Sequence, residues 1–417
     1  MMIRVVQAVS ISYSAKSERK SSSSGEQQVS MTIQDGSRLE SEIALEDPFP
    51  GFLLDLLDLA SGDYDVNKAD ILNRGKSAEQ IANEEEMAYE QKQFASYREN
   101  WEFNWSPTYG YFEDMTAVSP MHFTHMTPGY RIDNDACFGP TLQIFTIKLA
   151  EIKGGIEWPL SVYGMIAARD DVDHNRNLLF SCSRMEAQKL DQDDPFFRLI
   201  GPSRDILFTD QAKFEVQLRV KGATMSQDRP LISAYCDYMN GYYPGLFTTC
   251  FENCFCKIEL CLERVHHSVQ ATVLSVRVKK GASPFEYGGE VACSATSHNT
   301  APSSMNVVLL SSRGRPMPEG SDGYLHLSRN VVSVGLEGSL TFFVRAYSQS
   351  GEIAAQGQVC FMPKESNITQ KTCLLGDPEV EVEITVAWSA HVSDKQSIAT
   401  EGWMFEACNE HGWGKDA

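Results

Sequence analysis

The 417-residue chain has no stretch approaching the roughly 18 to 20 consecutive apolar residues that a membrane-crossing helix needs, so no helical span is expected. Positive charge is scarce: 36 Lys and Arg stand against 56 Asp and Glu, a net charge of -20. Nucleic acid and anionic membrane surfaces both repel such a chain, which argues against either as a partner. The opening MMIRVVQAVSISYSAK offers no convincing small-residue cleavage site, and Gln7 breaks its short apolar run, so it does not read as a secretory signal. The following KSERKSSSSGEQQ has few arginines and reads as an unstructured tail rather than an organelle transit sequence. The eleven cysteines are odd in number and irregular in spacing, which predicts reduced thiols in the cytoplasm or nucleus. P-loop, dinucleotide-fingerprint, G-x-S-x-G and H-E-x-x-H patterns are absent, which weakens several enzyme classes.

What is present is patterned. Residues 31–100 carry 16 Asp and Glu against 6 Lys and Arg, so half the net negative charge sits in about a sixth of the chain. Within this stretch DPFPGFLLDLLDLASGDYD suggests a short apolar helix, and residues 77 to about 101 a longer one. Ser77 followed three residues later by Gln80 forms a capping box, in which each side chain satisfies a free backbone N–H at the helix start. Met87, Phe94 and Trp101 recur every seven residues, with Tyr97 beside them, opposite Glu84, Glu85 and Lys92.

From Thr141 the period becomes two. In KFEVQLRVK, Phe214, Val216, Leu218 and Val220 share one face, and Glu215, Gln217, Arg219 and Lys221 the other. EVEVEITVAW repeats the pattern with Val380, Val382, Ile384, Val386 and Trp388. One wet face suits antiparallel sheets, and about a dozen such stretches separated by turns predict a mainly β chain: one large β-sandwich or two apposed ones. The expected organisation is a Ser-rich tail over 1–45, an acidic helical segment over 46–105, a β-sandwich domain over 106–392 and a tail over 393–417.

The stretch most suggestive of chemistry is AARDDVDHNRNLLF, with Arg169, Asp170, Asp171, Asp173, His174, Asn175 and Arg176. Asp171, Asp173, Asn175 and Asn177 match alternate positions of an EF-hand loop. Arg176 stands where the turn glycine is needed and Cys182 where the bidentate glutamate is needed, so an EF-hand is excluded. The plain reading is a hairpin-like loop whose Asp and Asn side chains bond nearby backbone N–H groups while Arg169 and Arg176 pair with the acids. As a candidate binding loop it would present these residues to a partner.

CFENCFCKIELC has no paired C-x2-C knuckle. Strand alternation turns Cys256 toward Ile258 and Leu260 and Cys261 the other way, so buried thiols are expected rather than zinc. His122 and His125 in SPMHFTHMTPG lie in a proline-bracketed stretch that reads as extended, which would send their rings to opposite faces; adjacent His266 and His267 meet the same objection. No metal and no cofactor is expected.

At SPMHFTHMTPG, TLQIFTIKLAEIKGGIEWPLSVYGMIAARDDVDHNRNLLF, DPFFRLIGPSRDILF and EVEVEITVAWS the chain resembles a plant family expanded in grasses, domain-of-unknown-function family 6598, over roughly residues 95–392. Some relatives resemble the region following a ribosome-inactivating N-glycosidase domain in stress-induced proteins, which implies a stress or defence context. The glycosidase itself needs a helical Glu-Ala-x-Arg; here Glu186-Ala187-Gln188-Lys189 falls between strands with lysine in place of the planar guanidinium. Two functional expectations follow. One is a non-enzymatic module binding an unknown protein or small ligand. The other is a metal-assisted hydrolase, or an N-glycosidase-related enzyme, using the Asp/His-rich loop.

Overall fold

In a computed structural model the described residues are 75–124, 136–239, 245–281, 283–296, 305–320, 322–376 and 380–396. The readings made for the first 74 residues, for His125 and for the chain after residue 396 lie outside them. Among the described residues no helix is long and apolar enough to cross a membrane.

Helix α1 (Ala78–Tyr109) starts where the capping box places it: the Gln80 N–H donates to Ser77 Oγ at 3.2 Å, and the Ser77 N–H to Gln80 Oε1 at 2.9 Å. Its buried stripe is Met87, Phe94, Tyr97 and Trp101, as the periodicity requires, and Tyr109 extends it beyond the expected end near 101. Pro107 is accommodated in the last turn, and Gly110 ends the helix at φ 96°, a conformation that favours glycine.

The strands are β1 (Ala136–Cys137), β2 (Thr141–Ile152), β3 (Leu160–Arg169), β4 (Asn177–Cys182), β5 (Gln188–Leu190), β6 (Ile206–Leu207), β7 (Ala212–Val220), β8 (Arg229–Tyr238), β9 (Leu246–Glu252) and β10 (Cys256–Val265). They continue as β11 (Ser268–Lys280), β12 (Gly288–Thr296), β13 (Val307–Arg313), β14 (Val331–Gly335), β15 (Ser339–Tyr347), β16 (Ile353–Phe361), β17 (Asn367–Leu375), β18 (Val380–Ser389) and β19 (His391–Val392).

Two sandwiches result, and every paired strand is antiparallel. The first joins sheet β6-β2-β10-β9 to sheet β4-β3-β7-β8, with β5 on β3, around Leu142, Ile166, Val216, Leu218, Ile258 and Leu260. The second joins β14-β11-β18-β17 to β13-β12-β15-β16 around Val291, Phe342, Val344, Val382, Ile384 and Trp388. Each large apolar side chain buried this way contributes about 1.5–3 kcal/mol. The chain passes between the sandwiches at His266 and His267; the latter takes φ 44° in the turn between β10 and β11. Cys256 is fully buried with Ile258 and Leu260, as the alternation predicts, and Cys261 lies on the other side against Met305.

Several polar contacts cross the seam between the sandwiches. Arg329 donates to the carbonyl oxygens of Ile144 and Phe145 on β2, at 2.8 and 3.1 Å, and to that of Val308. Burial pulls its pKa down to about 10. Gln143 Oε1 accepts from the Ser333 N–H at 2.9 Å, and Gln270 Oε1 from the Asp205 N–H at 2.7 Å.

One expectation is corrected. SPMHFTHMTPG is not extended around His122: Ser119 Oγ accepts from the Met121 N–H, and the His122 and Thr124 N–H groups donate back to Ser119 and Met121 carbonyls, closing tight turns. A serine beside Pro120 competes for local backbone donors and so favours a turn.

Candidate functional site

The stretch from Arg169 to Asn177 connects β3 to β4, which pair antiparallel, so it is the hairpin connection that the flanking periodicity implies. Asp170 Oδ1 accepts from the Val172 N–H and Asp173 Oδ1 from the Asn175 N–H, both at 3.2 Å, the local turns expected of these residues. His174 takes φ 51° at the apex.

The loop is not a hydrated one. Arg169, Asp170, Asp173, Asn175 and Arg176 are buried, while Asp171 and His174 are half-buried. Burying charge is expensive unless it is paired and hydrogen-bonded, so the partners matter. They come from elsewhere in the chain rather than from the loop itself. Glu215, at the centre of β7 and fully buried, takes Arg169 Nε on one oxygen and Arg176 Nε on the other, the latter at 2.9 Å. Tyr97 on α1 donates its hydroxyl to Glu215 Oε1 at 2.8 Å. Burial alone would raise the Glu215 pKa, but the two guanidinium groups more than offset it and hold it below the ordinary carboxylate range.

The aspartates are neutralised by a third arginine. Arg204 grips Asp170 with two nitrogens, each at 2.7 Å, and reaches Asp173 Oδ1 at 3.1 Å. Thr116 donates to Asp173 Oδ2 at 2.6 Å and accepts from Arg204 Nε at 2.9 Å, while the Leu207 N–H donates to Asp170 Oδ2 at 2.8 Å. This bidentate geometry is the strongest arrangement available to an arginine and a carboxylate.

Helix α1 and the segment after it complete the node. Trp101 Nε1 donates to the His174 carbonyl at 2.9 Å, Arg169 to the same carbonyl at 2.7 Å and to that of Phe112 at 2.6 Å. Asn175 Nδ2 donates to the Tyr109 carbonyl at 3.2 Å. The Phe112 ring lies under the guanidinium groups of Arg169 and Arg176, 4.3 and 4.7 Å from its centroid, and edge-on to Phe94, Tyr97 and Trp101. At the outer rim the His174 ring stacks flat on Trp105 at 3.6 Å. Burial lowers the His174 pKa, against the pull of Asp171, Asp170 and Asp173.

Sequence reasoning found the loop but missed Glu215 and Arg204. The alternation puts Glu215 on the wet face of β7, yet that face is covered by the aromatic side of α1. It also missed a second constellation at the seam. Asp205, His391 and Ser268 stand in the order of a hydrolase relay: His391 Nδ1 is 3.5 Å from Asp205 Oδ2, and Nε2 is 3.1 Å from Ser268 Oγ. The resemblance ends with the serine, which is fully buried and donates its hydroxyl to the Gly139 carbonyl at 2.8 Å. A nucleophile without access to substrate cannot serve. Among the described residues no group of three or more His, Cys, Asp and Glu side chains is arranged to hold a metal ion.

These observations define a class: a double antiparallel β-sandwich in which a helix outside the sheets closes a buried ionic node. The chain belongs to the family described as domain of unknown function (DUF6598), whose model matches residues 141–384, more than half its length. No curated protein matches it. Among solved structures, human GIVD cytosolic phospholipase A2 in complex with methyl gamma-linolenyl fluorophosphonate and terbium chloride aligns at 9% identity with a TM-score of 0.20, covering 62% of this chain and 33% of that one. The same human enzyme with methyl gamma-linolenyl fluorophosphonate gives 9%, 0.19, 60% and 32%. The chain thus spans about a third of that enzyme, and a likeness this slight carries no argument.

Proposed function

We propose that the chain is a non-enzymatic interaction module of the cytoplasm or nucleus, acting in a stress or defence context, that binds a protein partner at the rim where α1 meets the Arg169–Asn177 loop. In this reading residues 106–392 are the β body, and of the acidic segment over 46–105 the described part, the body of α1, helps form the binding end. The observation that carries it is the fate of the loop's charges. Asp170, Asp173, Arg169 and Arg176 are committed to internal partners, which leaves the half-exposed Trp105–His174 stack and Asp171 facing outward. An aromatic anchor beside a polar edge on a rigid frame is the composition from which interface hot spots are built. The ten described cysteines are all unpaired, in keeping with a reducing compartment. The stress or defence setting rests on the family resemblance alone.

The test is affinity capture from native tissue with the full chain, comparing wild type with Trp105→Ala and Asp171→Asn, each first shown to keep its melting temperature. Loss of the same specific protein with Trp105→Ala is expected. Equal recovery with all three chains would sink this placement of the surface.

A further inference from the structure

Asp205 reaches out of the first sandwich into the second. Its N–H donates to Gln270 Oε1 on β11, and Ser333 on β14 donates to its Oδ1 at 2.7 Å. Its other oxygen, Oδ2, is buried with no hydrogen-bond partner and faces His391 Nδ1 at 3.5 Å on β19. The tautomer of His391 follows from its other nitrogen. Nε2 lies 2.7 Å from the Ser268 carbonyl, which can only accept, so Nε2 carries the hydrogen and Nδ1 of the neutral ring presents a lone pair. Two acceptors therefore face each other in a buried seam, beside a cavity of about 20 Å³ lined by Arg204, Gln270, Pro120 and both residues. Without a proton between them this contact is repulsive; with one the pair is drawn in from 3.5 Å toward hydrogen-bonding distance.

We propose that Asp205 and His391 form a proton-gated latch between the two sandwiches, closed when one proton is shared between Asp205 Oδ2 and His391 Nδ1 and loosened when that proton is lost.

The charged and titratable groups around the latch are few. Arg204 stands next to Asp205, but its guanidinium is engaged by Asp170 and Asp173 from the β3–β4 loop. The second sandwich contributes the uncharged Gln270, Ser268 and Ser333. Burial pushes the Asp205 carboxyl up to about 7, against the Ser333 hydrogen bond and Arg204, and pulls the His391 imidazole down to about 4. Both groups are then neutral under mildly acidic conditions, as the shared proton requires. A carboxyl raised in the folded state contributes stability that is complete below its unfolded pKa and is lost as pH rises through the folded one. Asp205 therefore costs stability progressively from about pH 4 to just above 7. His391, lowered on folding, acts in the opposite sense between about 4 and 6.5. Above about 6.5 only the Asp205 loss remains.

The experiment compares the full chain with Asp205→Asn, whose amide donates permanently to His391 Nδ1 while its oxygen still accepts from Ser333. Melting temperature is recorded from pH 4 to 9, and hydrogen exchange, corrected for intrinsic rate, is followed in peptides covering 203–208 and 389–392. The melting-temperature gap in favour of Asp205→Asn should widen from pH 4 to 7 and level off above 8, and seam protection should fall with pH in the wild type alone. Parallel curves would overturn the latch. Should Asp205→Asn not fold, carboxyl-carbon NMR of the wild type decides: titration of Asp205 near neutrality supports the latch, and titration in the ordinary carboxylate range overturns it.

Discussion

The two sandwiches share an architecture but not an interior economy of charge. In the second, the ion pairs Lys279–Glu383, Lys280–Glu381 and Arg345–Glu290 each keep at least one partner partly exposed, and the buried Arg329 at its seam with the first bonds carbonyl oxygens rather than a carboxylate. In the first, two linked ionic groups, Arg169–Glu215–Arg176 and Asp170–Arg204–Asp173, are buried under α1 and the segment that follows it. The difference shows how a period-two pattern can mislead. The same alternation leaves one charged face in water and places another beneath a helix, and only tertiary packing decides between them. The family match begins at residue 141 and does not enclose the whole folding unit: Tyr97, Trp101, Tyr109 and Phe112 all serve residues inside it.

The two halves differ most in what depends on Glu215. Glu215→Ala would leave Arg169 and Arg176 facing each other, buried and uncompensated, and should cost about 3–5 kcal/mol in denaturant unfolding, because removing one partner of a buried pair strands the other. A cost below about 1 kcal/mol would mean that water reaches the node. Tyr97→Phe removes one hydrogen bond to the buried carboxylate and should cost about 1.5–3 kcal/mol, which ties the helix energetically to the sheet. The contrasting change is Glu383→Gln in the second sandwich, which removes only the contact with an exposed lysine and should cost about 0–1 kcal/mol by the same measurement. A large effect there would erase the distinction between the two halves.

Much of this fold is legible in the residues themselves. Ser77 and Gln80 mark the start of α1 because a capping box is a purely local solution to a local problem. β2, β3, β7 and β18 announce themselves through apolar residues at alternate positions. β8, β9, β12 and β17 do not. β9 and β17 lie at sheet edges with both faces partly exposed, β8 opens on Arg229-Pro230 at another edge, and β12 begins with two glycines.

The node was half legible. Asp and Asn at alternate positions betray a turn, but the pairing of Asp170 with Arg204, and of Arg169 with Glu215, joins residues far apart in sequence. Nothing in KFEVQLRVK distinguishes Glu215 from Gln217 on the same face. The available hint was indirect: an aromatic stripe on α1 must cover something, and a sheet face is what it covers. Asp205 and His391 carry no local signal, since a buried acid and a buried imidazole become a pair only when the two sandwiches meet.

The Asp- and His-rich loop spends its charge on its own chain rather than on a metal. Titration of the full chain with calcium and with zinc, followed by melting temperature, tests it most directly, because an ion that binds only the folded state must stabilise it. The melting temperature should be unchanged at millimolar excess of either ion; a saturable rise abolished by Asp171→Asn or His174→Ala would show instead that the loop holds a metal.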